Sequence, residues 1–134
     1  MAVSLVSAVS PKPATAGASS DVAFAAARAG LEKKAEDVMV IDVRGMTTYA
    51  EHFVVLSGAS DRQVQSIAEG IEFALKELGE RPIGVEGYGN GTWVLLDYGD
   101  VVIHVFHQDT RQDYDLEGLW ADAPRTRLTD GPAR

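Results

Sequence analysis

Trp93, Asp97 and His104 lie in the stretch NGTWVLLDYGDVVIHVFHQ, residues 90–108, at alternating positions of two short apolar strands joined by Gly99-Asp100. Alternate side chains of a strand point to one face, so a large aromatic ring, a carboxylate and an imidazole share a surface. Such a set could hold a metal, move a proton or grip a partner. The histidines argue against metal. His52, His104 and His107 show no ligand spacing beyond the i, i+3 pair His104 and His107, whose side chains point to opposite faces if the strand continues, whereas a zinc site needs several convergent ligands. Cysteine is absent, which removes thiolate ligands, a cysteine nucleophile and any disulfide framework. No metal site, catalytic residue or cofactor-binding motif is expected.

A second stretch that could do chemistry is SGASDRQV, Ser57 to Val64, with small residues at a strand-to-helix junction. Backbone amides and the helix dipole could hold an anion there. It looks somewhat like the start of a nucleotidyltransferase signature, but that signature needs paired carboxylates for metal, and here Asp61 is followed by Arg62 and Gln63. The flanking pattern of a nucleophile elbow and the P-loop lysine are also missing. A helix cap made by Ser60 and Asp61 accounts for the same residues.

The elements that position these residues follow from periodicity. SDVAFAAARAGLEKKAE is an alanine-rich helix opened by Ser20 or Asp21 and weakened or interrupted at Gly30. DVMVIDVRG and EHFVVLSG are strands. In SDRQVQSIAEGIEFALKELG, Val64, Ile67, Ala68, Ile71, Ala74, Leu75 and Leu78 recur at steps of three and four, a single apolar helical stripe, capped by Ser60 and stopped by Gly79. IGVEGY is the third strand, the two strands of residues 90–108 follow, and residues 110–121 make a short terminal helix. The expected fold is α/β: one mixed sheet of about five strands flanked by helices. The long helix serves as a crossover, which lets the second and third strands run parallel.

Turn chemistry sets the register of the last three strands. Asn90-Gly91 is a strong type I′ hairpin signal, and Gly99-Asp100 suits type II′. With two-residue loops at both places, Leu96 faces Ile103, Val94 faces Val105 and Val85 lies beside Leu96, an apolar face for the long helix. The other face collects Tyr88, Glu86, Trp93, Leu95, Asp97, Phe106 and His104, with Asp100 in the adjoining loop. Trp93 then sits between Tyr88 and Phe106, and Leu95 between Glu86 and His104. This face is either a protein-binding patch of aromatic anchors among isolated polar groups, or a surface covered by a terminal helix, with His104 a satisfied, partly buried histidine.

Composition narrows the partners. In 134 residues the formal net charge is −8, and Lys12 is the only charged side chain among the first 20, so the remainder carries eleven basic against twenty acidic groups, −9. Dispersed cations do not make the basic patch that nucleic acid requires; an acidic body is steered towards basic protein. No run approaches the roughly 20 apolar residues of a membrane span. Residues 1–20 are rich in Ala, Ser, Val and Pro, too poor in large apolar groups to pack, and read as a disordered tail, 21–124 as one domain, and 125–134 as a flexible tail.

From about Asp21 to Pro124 the chain resembles the ribosomal silencing factor family, also called RsfS or Iojap, in four ordered blocks: KKAEDVMVIDVRG, YAEHFVVLSGASDRQVQSIA, VEGYGNGTWVLLDYGDVVIHVF and YDLEGLWADAP. The resemblance implies a nucleotidyltransferase-like fold without catalysis. It also implies docking on the large ribosomal subunit against ribosomal protein L-fourteen, which blocks joining of the small subunit and represses translation, and a homodimer when free. Trp93 is then the first anchor, with Leu95 and Phe106 beside it and Asp97, Glu86 and Asp100 set to pair with cations of the partner. Tyr114, Leu116, Leu119 and Trp120 either extend the patch or tie the terminal helix to the sheet. A cytoplasmic protein is expected, because the first residues lack the arginines of an organelle transit peptide. A nucleotidyltransferase-like enzyme and a dimeric scaffold without ribosomal contact are the alternatives.

Overall fold

The computed structural model describes residues 15–129; of the tails expected over 1–20 and 125–134, the parts at 1–14 and 130–134 lie outside them. Within that span run α1 (Thr15–Glu32), β1 (Glu36–Asp42), β2 (His52–Gly58), α2 (Asp61–Glu77), β3 (Gly84–Glu86), β4 (Trp93–Asp97), β5 (Val101–His107), α3 (Gln108–Tyr114), α4 (Leu116–Leu119) and β6 (Arg125–Leu128). The six strands form one sheet in the order β3-β4-β5-β2-β1-β6.

Three expectations need correction. α1 begins at Thr15, not near Asp21, and runs unbroken through Gly30; Ser19, assigned to the tail, is buried and its Oγ lies 2.7 Å from His52 Nδ1. Residues 125–128, also assigned to a tail, are a sixth strand antiparallel to β1. β2 and β3 run parallel, as expected, though not as neighbours: β2 pairs in parallel with β5, and β4 and β5 lie between them. The terminal helix is two short helices hinged at Asp115, which adopts a left-handed φ of 54° and caps the second of them through Gly118 N–H.

α1 and α2 cover one sheet face. The stripe Val64, Ile67, Ala68, Ile71 and Leu75 is buried there with Val54, Leu56, Val94, Leu96, Ile103 and Val105, as the register reasoning required. Ser60 caps α2 as expected. The other face is divided. Met39, Ile41, Phe53, Val55 and Phe106 form a second core beneath Leu116 and Ala123, so α3, α4 and the run into β6 shield the β1-β2 side. Burial along the strands records the division: every residue of β2 is buried, whereas β4 alternates between buried and half-buried. A strand with both faces covered selects a continuous apolar run, and one with a single covered face selects alternation. The surface over β3 and β4 is the open part.

Candidate functional site

On this second face β4 and β5 pair with Trp93 opposite Phe106, Leu95 opposite His104 and Asp97 opposite Val102, and β3 sets Glu86 opposite Leu95. The Gly99-Asp100 loop has the expected length: Tyr98 N–H donates to Val101 O at 2.9 Å, and Gly99 has φ 86°.

The other hairpin differs. β3 ends at Glu86, and the chain crosses to β4 through six residues, not the two of an Asn90-Gly91 turn. Gly87, at φ 95°, lies so close to the next strand that an added Cβ would overlap Trp93 O. That turn sends Tyr88 to the helical side, where its hydroxyl donates to Glu72 Oε2 of α2 at 2.5 Å and Gln65 Nε2 donates to its carbonyl. Burial and the Glu72 carboxylate push the Tyr88 phenol well above its ordinary pKa. Tyr88 is therefore not beside Trp93.

Trp93 is held rather than loose. Its ring stacks on Phe106 at 5.1 Å between centroids and meets Tyr114 of α3 at 4.4 Å, and its Nε1–H donates to His104 Nδ1 at 3.2 Å. An indole nitrogen can only donate, so the neutral His104 carries its proton on Nε2. His104 and Phe106 are buried, at 6 % and 0 % exposure; they support Trp93 from beneath instead of reaching solvent. Burial lowers the His104 pKa to about 4. Trp93, Leu95 and Asp97 are half-buried, and Glu86 and Asp100 exposed. Asp97 Oδ1 accepts from Gly99 N–H at 2.8 Å and so braces the turn. Of the last block, Leu116 is core, Tyr114 beside Trp93 leaves 47 % of its surface exposed, and Leu119 leaves 70 %.

One cluster escaped the sequence. Arg111 of α3 is buried; it donates to Glu117 Oε2 from Nε and Nη2 at 2.9 and 2.6 Å, and from Nη1 to Asp37 O and Ser57 Oγ at 2.6 and 2.7 Å. It fastens α3 and α4 to the ends of β1 and β2. The arrangement also occupies the junction where an anion could have been held. Ser57 Oγ accepts from Arg111, Ser60 Oγ from Gln63 N–H, and Gln63 Oε1 from Ala59 N–H. Among the described residues, no group of three or more His, Asp or Glu is placed to hold a metal, and no helix is long and apolar enough to cross a membrane.

The family model described as "Ribosomal silencing factor during starvation" matches residues 16–134. The chain belongs to the ribosomal silencing factor family. It is 45 % identical to the ribosomal silencing factor RsfS of Bacillus subtilis over 106 residues, 79 % of this chain and 90 % of that protein. It is 33 % identical to the mitochondrial assembly of ribosomal large subunit protein 1 of Mus musculus over 92 residues, 66 % of this chain and 40 % of that one. A crystal structure of a Chromobacterium violaceum protein superimposes with a TM-score of 0.75 at 33 % identity, covering 83 % of this chain and 92 % of the other. The relatives named as silencing factors have a regulatory role, not an enzymatic one.

Proposed function

We propose that this protein binds the large ribosomal subunit in the cytoplasm through the open strip around Trp93 and Leu95, docks against ribosomal protein L-fourteen, and sterically blocks joining of the small subunit. The observation that carries this reading is a tryptophan pinned by stacking and a hydrogen bond at a half-open face whose free groups are carboxylates. A plug needs affinity and no chemistry. Affinity at such interfaces concentrates in a few desolvated aromatic anchors, while Glu86 and Asp100 would contribute orientation and on-rate against a basic partner. In the absence of ribosomes two copies would pair with each other; pairing through the same strip would make self-association compete with docking.

The test is sedimentation with purified large subunits, with and without small subunits. Trp93→Ala should weaken binding about thirtyfold, the loss of an anchor worth roughly 2 kcal/mol, and release the block on joining. Because Trp93 is half-buried against Phe106 and Tyr114, the variant also loses roughly 1–3 kcal/mol of folding stability, so binding is measured well below its melting transition. Leu95→Ala, with fewer supporting contacts, should weaken docking with little change in melting. Undiminished binding by both folded variants would place the docking surface elsewhere.

A further inference from the structure

α2 carries a second stripe that the sheet does not use. Beside the buried residues, Ser66, Glu69, Gly70, Phe73 and Glu77 recur at steps of three and four and face the end of α1 across a groove of about 600 Å³. Its floor is built from small residues, Ala29 of α1 with Gly70 and Ala74 of α2. Phe73 forms its wall and leaves 68 % of its surface exposed. A helix position facing water favours Glu, Lys or Gln, not an aromatic ring.

We propose that this groove between α1 and α2 docks a basic amphipathic helix of a partner protein. Two adjacent helices with a floor of small side chains between them admit a third helix at close range, and an amphipathic helix lays its apolar face into such a channel. Charge decides the chemistry of the occupant. Three of the lining residues are carboxylates, Glu32, Glu69 and Glu77, against Lys33 as the only cation. Among the described residues none of these carboxylates has a salt-bridge partner. The stem of Lys33 lies over Gly70, within 2.8 Å of where a Cβ would stand, and a flexible side chain of that kind swings aside. A helix with lysines or arginines flanking an apolar stripe would place Phe73 in its apolar face and its cations on these carboxylates. The groove lies on the sheet face opposite Trp93, so its occupant and the proposed ribosomal docking do not compete.

The test uses the full chain and a labelled synthetic 18-residue peptide, leucines at helical spacing with lysines elsewhere, beside a scrambled peptide of identical composition. Anisotropy should show binding of the amphipathic peptide, with the scrambled one at least about tenfold weaker. Phe73→Glu should reduce affinity about thirtyfold, as for loss of an interface anchor; Glu69→Lys with Glu77→Lys should reduce both affinity and its salt dependence; Trp93→Ala should leave it unchanged. The proposal is overturned if no peptide binds, if the scrambled peptide binds equally well, or if Phe73→Glu has no effect. It is equally overturned if the wild-type chain sediments as a dimer that Phe73→Glu dissociates, because the groove then seats a second copy.

Discussion

Acid should destabilise this protein through His104. Its imidazole is 6 % exposed and burial holds its pKa at about 4, against an ordinary value of 6.5. Between those values the unfolded chain binds a proton that the folded chain refuses, so stability is fully present above about pH 6.5 and falls as the pH drops towards 4. The slope approaches about 1.4 kcal/mol per pH unit, and the loss from pH 7 to pH 5 is about 2 kcal/mol. Protonation at Nδ1 would also oppose the Trp93 N–H that now donates there. His104→Gln keeps an acceptor for Trp93 and removes the titration. The unfolding free energy from urea titration should therefore fall about 2 kcal/mol less between pH 7 and pH 5 in the variant than in the wild type. His52, also buried and lowered by burial, sits among Asp42, Arg44, Glu51 and Asp100, and leaves a residual slope that His52→Gln removes. Asp42, held at about 2 by the Arg44 guanidinium, loses its contribution only as the pH falls from about 3.8 to 2, outside the window measured. An equal loss in His104→Gln and wild type would refute the reasoning.

Arg111→Ala leaves Glu117 without its cation and Ser57 Oγ and Asp37 O without their donor; breaking a pair of this kind should cost about 3 kcal/mol in chemical denaturation, and adding Glu117→Gln should restore part of it. Ser60→Ala removes the acceptor for Gln63 N–H at the start of α2 and should cost about 1 kcal/mol, with ribosome binding intact after correction for folding.

What the sequence revealed was local. The pairing of β4 with β5 and the face given to α2 followed from the Gly99-Asp100 turn, strand alternation and one helical stripe, all signals contained within a few residues. Tyr88 was misplaced because a strong Asn90-Gly91 signal was overridden at a distance by its bond to Glu72; glycines at 87, 89 and 91 were the available sign that the chain needed an irregular crossing. RTRL gives no strand signal, since three of its four residues are exposed; backbone pairing to the free edge of β1 makes it a strand. Arg111, in QDTRQDY, looks like part of a solvated helix. Its burial depends on Ser57 and Asp37, 54 and 74 positions away.

These distant contacts bear on the site. A binding face costs less to order when its anchor is already fixed, and Trp93 is fixed from two directions. From below, His104 and Phe106 hold it through the hydrogen bond and the stack. From the side, Tyr114 meets it at 4.4 Å, and Tyr114 belongs to the helix that Arg111 fastens to Ser57 and Asp37. Ser57, at the β2–α2 junction, instead accepts from Arg111 and so helps hold the helix that carries Tyr114 against Trp93. In the proposed docking, then, Arg111 acts through Tyr114 as a positioning residue. Its replacement should weaken large-subunit binding, because the anchor remains present but must be ordered anew at each encounter.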